Sequence, residues 1–471
     1  MQRIGKNIFS LGLSRVVSGI VLFLVYIRLV TYLGPNEFGK LSLVMAYYTI
    51  FLLLVDLGIS RFVIKRMSED KTLAPTYLGN FFVAQFLLSL VVLGIFMTVP
   101  RLFGYEPELR MGMLLCGFGL LLGSMSLPYA SLLQAWQKIH LVAAVNFLNT
   151  MINAAWLLLA IVLHESVVFI FWLYIILGVV DFVIYAVLSR SLARPSFRVE
   201  PAVVKVMILS GLPFAFISGF EILISKLDVV IQKFFLPYQQ IGLYAGAYRF
   251  LDFLTFIPAI VAISLFPFLS ENSDLRIPVV ESIVSRLNRY MIALALPMGV
   301  GATILADKII LTLFDQSYLG AARVFQVLIW STVLTFFYAA PGIIVVVKKT
   351  HQAAGILLGV VAFNAAGNWL LIPRYGIIAS AWLTVFSYLL MSAAYIGLSR
   401  QIANFTLFRH VFWPAVGSAV MGVCLWFMKD LPLPVAISVS AAVYFCFLAA
   451  VRFIRKEDWR NVKSIFAKDV I

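Results

Sequence analysis

Apolar segments of about 20 residues or more follow one another along almost the whole of this 471-residue chain. An α-helix rises 1.5 Å per residue, so about 20 residues cross the roughly 30 Å hydrocarbon core of a bilayer. The apolar residues surround each predicted helix, whereas a soluble helix is apolar on one stripe only. Hydrophobic residues make up 62% of the chain and charged residues 12%, against about 45–50% and about 25% in soluble domains. The sequence therefore predicts an all-α, polytopic membrane protein.

We predict about fourteen transmembrane helices from the length of these segments. Their approximate ranges are 8–33, 41–62, 77–99, 111–134, 141–163, 166–188, 204–235, 242–269, 290–314, 324–347, 353–373, 376–398, 411–428 and 433–452. The connections at alternate ends of these helices, together with both tails, carry 24 of the 36 Lys and Arg residues. Because positive charge collects on the cytoplasmic side, both termini are expected in the cytoplasm of a multi-pass inner-membrane protein.

A repeated turn divides the predicted helices. Residues 33–39 (LGPNEFG) join the first two spans, and residues 236–242 (LPYQQIG) join the seventh and eighth. Paired lobes with a substrate site between them are typical of alternating-access transporters. We therefore predict two six-helix lobes, residues 1–198 and 199–403, followed by a terminal helix pair at 404–455. The basic segment 456–471 is expected to be a cytoplasmic tail, either a short interfacial helix attracted to anionic lipid or a solvated disordered segment.

Four charged residues inside the spans form two couples at matching depth. Arg15 and Asp56 lie on the neighbouring first and second spans, and Asp228 and Arg249 lie on the seventh and eighth. A charge at the bilayer centre costs at least about 2.5–3.5 kcal/mol, so such residues face the protein interior or water. Each couple is interpreted either as a structural ion pair or as part of a functional site.

Three further charged residues accompany these couples in the second predicted lobe. Asp252 follows Arg249 at i+3, Glu221 precedes Asp228 by seven residues, and Lys226 lies between these two acids. Guanidinium groups suit an anionic substrate, and desolvated carboxylates can carry a proton that couples transport to a gradient. The candidate cationic substrate-binding residues are Arg15, Arg249 and Lys226, and the candidate coupling or ion-pair carboxylates are Asp56, Glu221, Asp228 and Asp252.

Several short motifs in this order resemble one transporter family. They are Leu33 to Gly39, Asp56-Leu57-Gly58, Lys226-Leu227-Asp228, Gly242 to Arg249 followed by Pro258 and Pro267, and Asn364 with Asn368, Leu371-Ile372-Pro373 and Tyr375-Gly376-Ile377. Across nearly the whole chain the sequence resembles the polysaccharide-precursor flippases of the Wzx type, within the multidrug/oligosaccharidyl-lipid/polysaccharide exporter superfamily. One departure is Ala379-Ser380-Ala381, where the family often has Gly-Ala-Ala.

The resemblance implies two lobes in a V around a central, often cationic cavity. It also implies alternating-access flipping of a polyprenyl-pyrophosphate-linked oligosaccharide or polysaccharide repeat unit, such as an O-antigen unit, from the cytoplasmic to the outer leaflet. The implied partners are an undecaprenyl-pyrophosphate-linked glycan, membrane lipids and a polysaccharide polymerase. Tyr244, Tyr248 and Trp369 are expected either to stack on sugar rings or simply to pack.

Other functional classes are less consistent with the sequence. A cation-coupled multidrug exporter of the same superfamily and a lipid-linked peptidoglycan precursor flippase remain alternatives. No nucleotide-binding, zinc-protease or serine-hydrolase motif occurs, and the four histidines lie in different connections, so we expect a transporter without a cofactor or metal and not an enzyme. The net charge of +15 is spread over connections without a basic, aromatic-rich soluble domain, which argues against nucleic-acid binding.

Overall fold

A computed structural model describes residues 2–261, 277–402 and 410–453. Within these ranges, side chains are described except at 2–18, 214, 217, 218, 277–280, 282, 283, 347 and 350. The described chain is helical, with turns but no β-strand. The predicted all-α class is therefore confirmed.

Sixteen helices carry the argument that follows. In chain order they are α1 (Gln2–Asp56), α2 (Ile59–Glu69), α3 (Ala74–Leu102), α4 (Pro107–Ser124), α5 (Leu127–Ala135), α6 (Ile139–Val162), α7 (Val167–Ser189), α8 (Pro201–Lys233), α9 (Tyr238–Leu254), α10 (Ile277–Ile304), α11 (Ala306–Leu313), α12 (Ala321–Lys348), α13 (Thr350–Tyr375), α14 (Ile377–Arg400), α15 (Phe412–Phe427) and α16 (Leu433–Ala450). In the part of the chain that the structure describes, nine helical segments are long and apolar enough to cross a membrane, or ten if the bent pair α10 and α11 forms one span. The chain is therefore a multi-pass membrane protein.

Two breaks shape the first two spans. The first apolar segment runs 51 residues, from Gly19 to Glu69, which is far too long for one crossing. Within it, Gly34 leaves the helical conformation at φ 66° and ψ 170°, which places the predicted turn between the first two spans. The chain leaves the helix again at Leu57 (φ 46°) and Gly58 (φ 72°) before α2 begins. The second span, predicted as one helix over 41–62, is therefore interrupted near its end.

The turn after the first span is anchored by a buried lysine. The Lys40 ammonium lies 3.0 Å from the Glu37 carboxylate, 3.3 Å from that of Glu106 and 2.7 Å from that of Glu108. The Lys40 side chain is only 9% exposed, so this charge is stabilised by its three partners and much less by water. The cluster ties the turn between the first two spans to the start of α4.

The chain folds into two compact units. The amino-terminal unit comprises residues 7–245, and the carboxy-terminal unit comprises residues 246–471 with residues 1–6. A core of the amino-terminal unit forms where α2, α3, α5 and α8 meet, around Val63, Leu78 and Leu132. In the carboxy-terminal unit, α10 packs on α12 around Ala295 and Phe336. The division into six-helix lobes at 198/199 stays a prediction.

The polar connection between α7 and α8 runs along the start of α3 and is hydrogen-bonded to it. The Ser196 backbone N–H donates to the Pro75 carbonyl at 2.8 Å, and the Glu200 N–H donates to the Asn80 side-chain oxygen, also at 2.8 Å. A β-carbon on Gly79 would overlap the Ser196 carbonyl oxygen, so only glycine allows this approach. The connection is therefore held by specific hydrogen bonds along its path.

Asn80→Ala is expected to loosen this connection. Loss of a hydrogen bond worth about 1 kcal/mol should raise local opening about fivefold. Trypsin should then cleave after Arg198 about fivefold faster in detergent-solubilised protein, as measured by gel densitometry. Ser89→Ala on the same helix is the control, because Ser89 bonds Ser124 instead of the connection. Equal cleavage rates in all three proteins would contradict the anchoring role of Asn80.

Candidate functional site

An arginine and a glutamate form the polar feature that we take as the candidate site of the amino-terminal unit. Arg61 is the third residue of α2 and Glu221 lies within α8, and both side chains are exposed. Their charges lie close enough to interact electrostatically. Charged groups on a membrane-spanning helix are stable on an exposed face only where that face meets water or another polar group. This face of α2 and α8 is therefore suited to a polar ligand.

Two glycines bring these helices together. A β-carbon on Gly58 would overlap the Gly211 carbonyl oxygen, and one on Gly211 would lie 2.6 Å from the Leu57 carbonyl oxygen. Small residues of this kind allow membrane helices to approach backbone to backbone. The positive φ of Gly58 also ends α1 and starts α2 in a new direction. Arg61 therefore owes its position beside α8 to the break at Leu57 and Gly58.

Asp56 has a local structural role in the described part of the chain. Its Oδ1 accepts hydrogen bonds from the Ser60 backbone N–H at 3.1 Å and from the Ser60 hydroxyl. A carboxylate in this position satisfies a free N–H of the first turn of a helix. The predicted partner of Asp56, Arg15, has its side chain outside the described residues. The couple of Arg15 with Asp56 stays a prediction.

Asp228 is completely buried and bonded within the amino-terminal unit. Its Oδ2 accepts a short hydrogen bond from the Tyr244 hydroxyl, and its Oδ1 accepts one from the Val229 N–H at 2.7 Å. Tyr244 is fully buried as well, so it cannot stack on a sugar ring. Of the two expectations for Tyr244, the structure agrees with packing, because its ring and hydroxyl both lie in the core. Lys226, two residues before Asp228, is half-buried and interacts electrostatically with the Asp228 carboxylate.

Arg249 and Asp252 form an ion pair in the carboxy-terminal unit. Their i,i+3 spacing on α9 brings the guanidinium to 4.0 Å from the carboxylate. The Arg249 side chain is 24% exposed and that of Asp252 is 47% exposed, so both reach the surface of the unit. The proposed couple of Arg249 with Asp228 and the substrate-binding role of Arg249 stay predictions.

The asparagine motif near the end of the chain packs two helices together. Asn364 on α13 donates to the Ser387 hydroxyl on α14 at 3.0 Å, and Asn368 donates to the Asn364 backbone oxygen at 2.8 Å. All three residues are buried. Side-chain hydrogen bonds of this kind join helices within a membrane. Trp369 beside them is exposed, so a sugar contact by its ring stays a prediction.

Metal-ligating side chains of the usual types are scattered. Within the ranges described, no three His, Cys, Asp or Glu side chains lie together in an arrangement that could hold a metal ion. Cys116, Cys424 and Cys446 are free thiols.

Arg61 is the residue that the reasoning from sequence missed. Its position at the end of the span predicted over 41–62 indicates a connection residue, whereas the structure places it on a helix beside α8. The available signal was Asp56-Leu57-Gly58, an acid and a glycine at a helix boundary, which predicts a break followed by a new first turn. A cation in that first turn is held on a rigid element and not on a loop.

The comparisons with known proteins agree with this fold. Solved structures with a similar fold include the lipid II flippase MurJ in an inward closed conformation, with TM-score 0.79 and 13% identity, covering 94% of this chain and 99% of that one. Another is the Vibrio cholerae MATE transporter VcmN in its bent form, with TM-score 0.54 and 14% identity, covering 85% of this chain and 98% of that one. At these identities the likeness concerns the fold alone.

Comparison of sequences identifies the family of this chain. The probable low-salt glycan biosynthesis flippase Agl15 of Haloferax volcanii is 24% identical over 439 residues, which cover 90% of this chain and 88% of that relative. The profile of the family described as polysaccharide biosynthesis protein matches residues 4–273, more than half of the chain. The chain therefore belongs to the polysaccharide biosynthesis protein family.

Proposed function

We propose that this protein is a flippase for a polyprenyl-pyrophosphate-linked oligosaccharide or polysaccharide repeat unit. It moves the unit from the cytoplasmic to the outer leaflet of the inner membrane by alternating access, with both termini in the cytoplasm. The family and the named activity of the Haloferax relative support this proposal. An undecaprenyl carrier and a polysaccharide polymerase partner stay predictions.

The pair of Arg61 and Glu221 carries the proposal. A diphosphate is too polar to cross hydrocarbon, and a guanidinium holds phosphate oxygens by paired, charge-assisted hydrogen bonds. Arg61 is exposed on a rigid helix, and the Glu221 carboxylate lies close enough to interact electrostatically with it. In our proposal the substrate diphosphate replaces Glu221 as the partner of Arg61. The prenyl tail stays in lipid while the sugar crosses with the headgroup.

The decisive experiment is leaflet exchange in proteoliposomes with a fluorescent lipid-linked oligosaccharide and a membrane-impermeant quencher. Arg61→Ala is expected to slow exchange about 10- to 100-fold, since charge-assisted hydrogen bonds contribute about 1.5–3 kcal/mol each. The exchange rate of Arg61→Lys should lie between those of the parent and Arg61→Ala, because lysine keeps the charge but not the paired hydrogen-bond geometry of arginine. Arg15→Ala and Arg249→Ala should also reduce exchange.

The matched control is Lys65→Ala, one turn further along α2. Its side chain is 71% exposed and pairs only weakly with Glu69 at 3.9 Å. Exchange by this variant should equal that of the parent. An Arg61→Ala protein that exchanges the probe at the parental rate would refute the cationic site.

Two alternatives are tested in the same vesicles. A lipid-linked peptidoglycan precursor is offered as a second probe, because the fold resembles that of MurJ. A cationic fluorescent drug tests the exporter alternative. Faster movement of either probe than of the lipid-linked oligosaccharide would overturn the assignment of substrate.

A further inference from the structure

A groove between α13 and α14 in the carboxy-terminal unit has no part in the proposed substrate site. Its volume is about 480 Å³, which lies within the range of small-ligand sites. The residues that line it are Gln352, Ile356, Ala394, Gly397 and Leu398. Apart from the Gln352 side chain this lining is apolar, so the groove suits a hydrocarbon chain.

Small residues on α14 keep the groove open. Gly397 is exposed, and a β-carbon built on it would have no described atom of the chain within 4 Å. Ala394, three residues earlier on the same helix, adds only a methyl group. Glycines in membrane helices often allow two backbones to approach, as Gly58 and Gly211 do, but Gly397 makes no such contact with the described residues. The described part of the chain therefore leaves this space unfilled.

The groove lies where both helices reach the edge of their apolar spans. These spans are His351–Tyr375 and Ile377–Arg400. Gln352 belongs to the first turn of α13 and Leu398 to the last turn of α14. Both residues line the groove, so it opens near one membrane boundary. A hydrocarbon chain in the groove would therefore have its polar end at the level of the lipid headgroups.

Three basic residues lie at this same end of the helix pair: Lys348, Lys349 and Arg400. The Lys349 ammonium donates a short hydrogen bond to the side-chain oxygen of Gln401. Because Lys349 immediately precedes α13 and Gln401 immediately follows α14, this bond places a positive charge between the two helix ends. A negatively charged headgroup would be stabilised here.

The helices around the groove bring no acidic residue to it. No Asp or Glu occurs between Asp315 and Asp430, a stretch that includes α12, α13, α14 and α15. Lipid tails are as apolar as the groove, so hydrophobicity alone selects no particular lipid. The excess of positive charge does select, because basic residues at a membrane surface attract anionic lipids.

We propose that this groove binds one anionic glycerophospholipid, with an acyl chain along Ala394 and Gly397 and its phosphate beside Lys349 and Arg400. The distribution of Lys and Arg predicts that this end faces the cytoplasm, and the cytoplasmic leaflet is where anionic lipids concentrate. The occupant is a membrane phospholipid and not the prenyl carrier, because the proposed substrate site belongs to the amino-terminal unit. The bound lipid joins the ends of α13 and α14 and stabilises the carboxy-terminal unit.

The proposal is tested by lipid titration of the full-length protein, delipidated in detergent, with bound lipid counted by native mass spectrometry. The parent should bind one phosphatidylglycerol, about tenfold more tightly than phosphatidylcholine, because the headgroups differ in net charge. Gly397→Leu should weaken phosphatidylglycerol binding at least tenfold. The leucine side chain would occupy the path of the acyl chain without displacing a described atom at its β-carbon.

Charge variants test the headgroup contact separately. Lys349→Gln and Arg400→Gln should each weaken phosphatidylglycerol binding about fivefold and leave phosphatidylcholine binding unchanged. The control for charge is Arg374→Gln, an exposed arginine at the opposite end of α13. The control for space is Gly94→Leu, an exposed glycine of α3 with no atom within 4 Å of a built β-carbon. Both control proteins should bind phosphatidylglycerol as the parent does.

A second measurement reports the stabilising role of the lipid. A ligand that binds only the folded state raises the unfolding temperature. Phosphatidylglycerol should therefore raise the unfolding temperature of the parent and of Gly94→Leu more than phosphatidylcholine does. The two lipids should have equal effects on Gly397→Leu.

Several outcomes would overturn the proposal. They are equal affinities of the parent for the two lipids, and unchanged phosphatidylglycerol binding by a folded Gly397→Leu protein. If Gly397→Leu does not fold, unchanged binding by both charge variants has the same force. Tighter binding of a polyprenyl phosphate than of phosphatidylglycerol would assign the groove to the prenyl carrier, and a dimer lost in Gly397→Leu would assign it to a second copy of the chain. Failure of the flippase proposal would leave the phospholipid result intact, because no transport is measured.

Discussion

Gly242→Ala is expected to prevent stable folding. The two repeated turns meet at their glycines, where a β-carbon on Gly242 would overlap the Pro35 carbonyl oxygen and lie 3.0 Å from the Gly39 backbone nitrogen. The obstructing atoms are backbone and cannot rotate away. Alanine normally stabilises a helix by about 1 kcal/mol relative to glycine, so the strain must exceed this gain. We expect a net loss of about 3 kcal/mol or more in unfolding free energy.

The matched control for this prediction is Gly94→Ala. Gly94 lies inside α3, is exposed, and has no atom within 4 Å of a built β-carbon. Its substitution should be neutral or slightly stabilising. Both variants are compared with the parent by thermal unfolding in detergent and by the monodisperse yield after purification. A Gly242→Ala protein as stable as Gly94→Ala would contradict the packing of the two turns.

Tyr244→Phe has the second largest expected effect, because it removes one oxygen from a completely buried pair. Asp228 would keep its bond from the Val229 N–H but lose that from the phenol. Leaving a buried charged acceptor short of a partner costs about 1–3 kcal/mol or more. The unfolding free energy of this variant should fall by at least that amount, measured by chemical denaturation.

A double variant separates a structural role for Asp228 from a coupling role. Asp228→Leu combined with Tyr244→Phe removes both polar groups, so its stability should exceed that expected from adding the effects of the single variants. A structural pair predicts that the double variant still exchanges the lipid-linked probe. If it folds and exchange is abolished, Asp228 acts in transport and not only in packing.

Features that depend on local sequence were predictable for this fold. Segment length and composition predict membrane-spanning helices because hydrocarbon thickness fixes how many apolar residues are needed. The turn at residues 33–39 was recognised from its Gly-Pro pair, and Gly34 indeed has positive φ. The depth argument also predicted that Asp228 avoids lipid, since depth follows from residue count alone, and Asp228 is buried in the structure.

Features that depend on how the helices pack were not predictable. Counting residues matched Asp228 in depth to Arg249, but it did not reveal that Asp228 bonds Tyr244, sixteen residues away on the next helix. Arg61 looked like a connection residue because the break at Gly58 changes the direction of the chain without a polar segment. The hydrogen bond from Asn149 of α6 to Asp181 of α7 was not predictable either, because the register between these helices is not encoded in either helix alone.

The contact between the two repeated turns also limits how the sequences of these turns can change. At Gly39 and Gly242 the main-chain atoms of each turn leave no room for a β-carbon in the other turn. A larger residue in one copy cannot be accommodated by a smaller one in the other, because both are already glycine. Most positions of the chain can change independently of one another, but these two cannot. The similarity between the two turns therefore persists at the place where they touch.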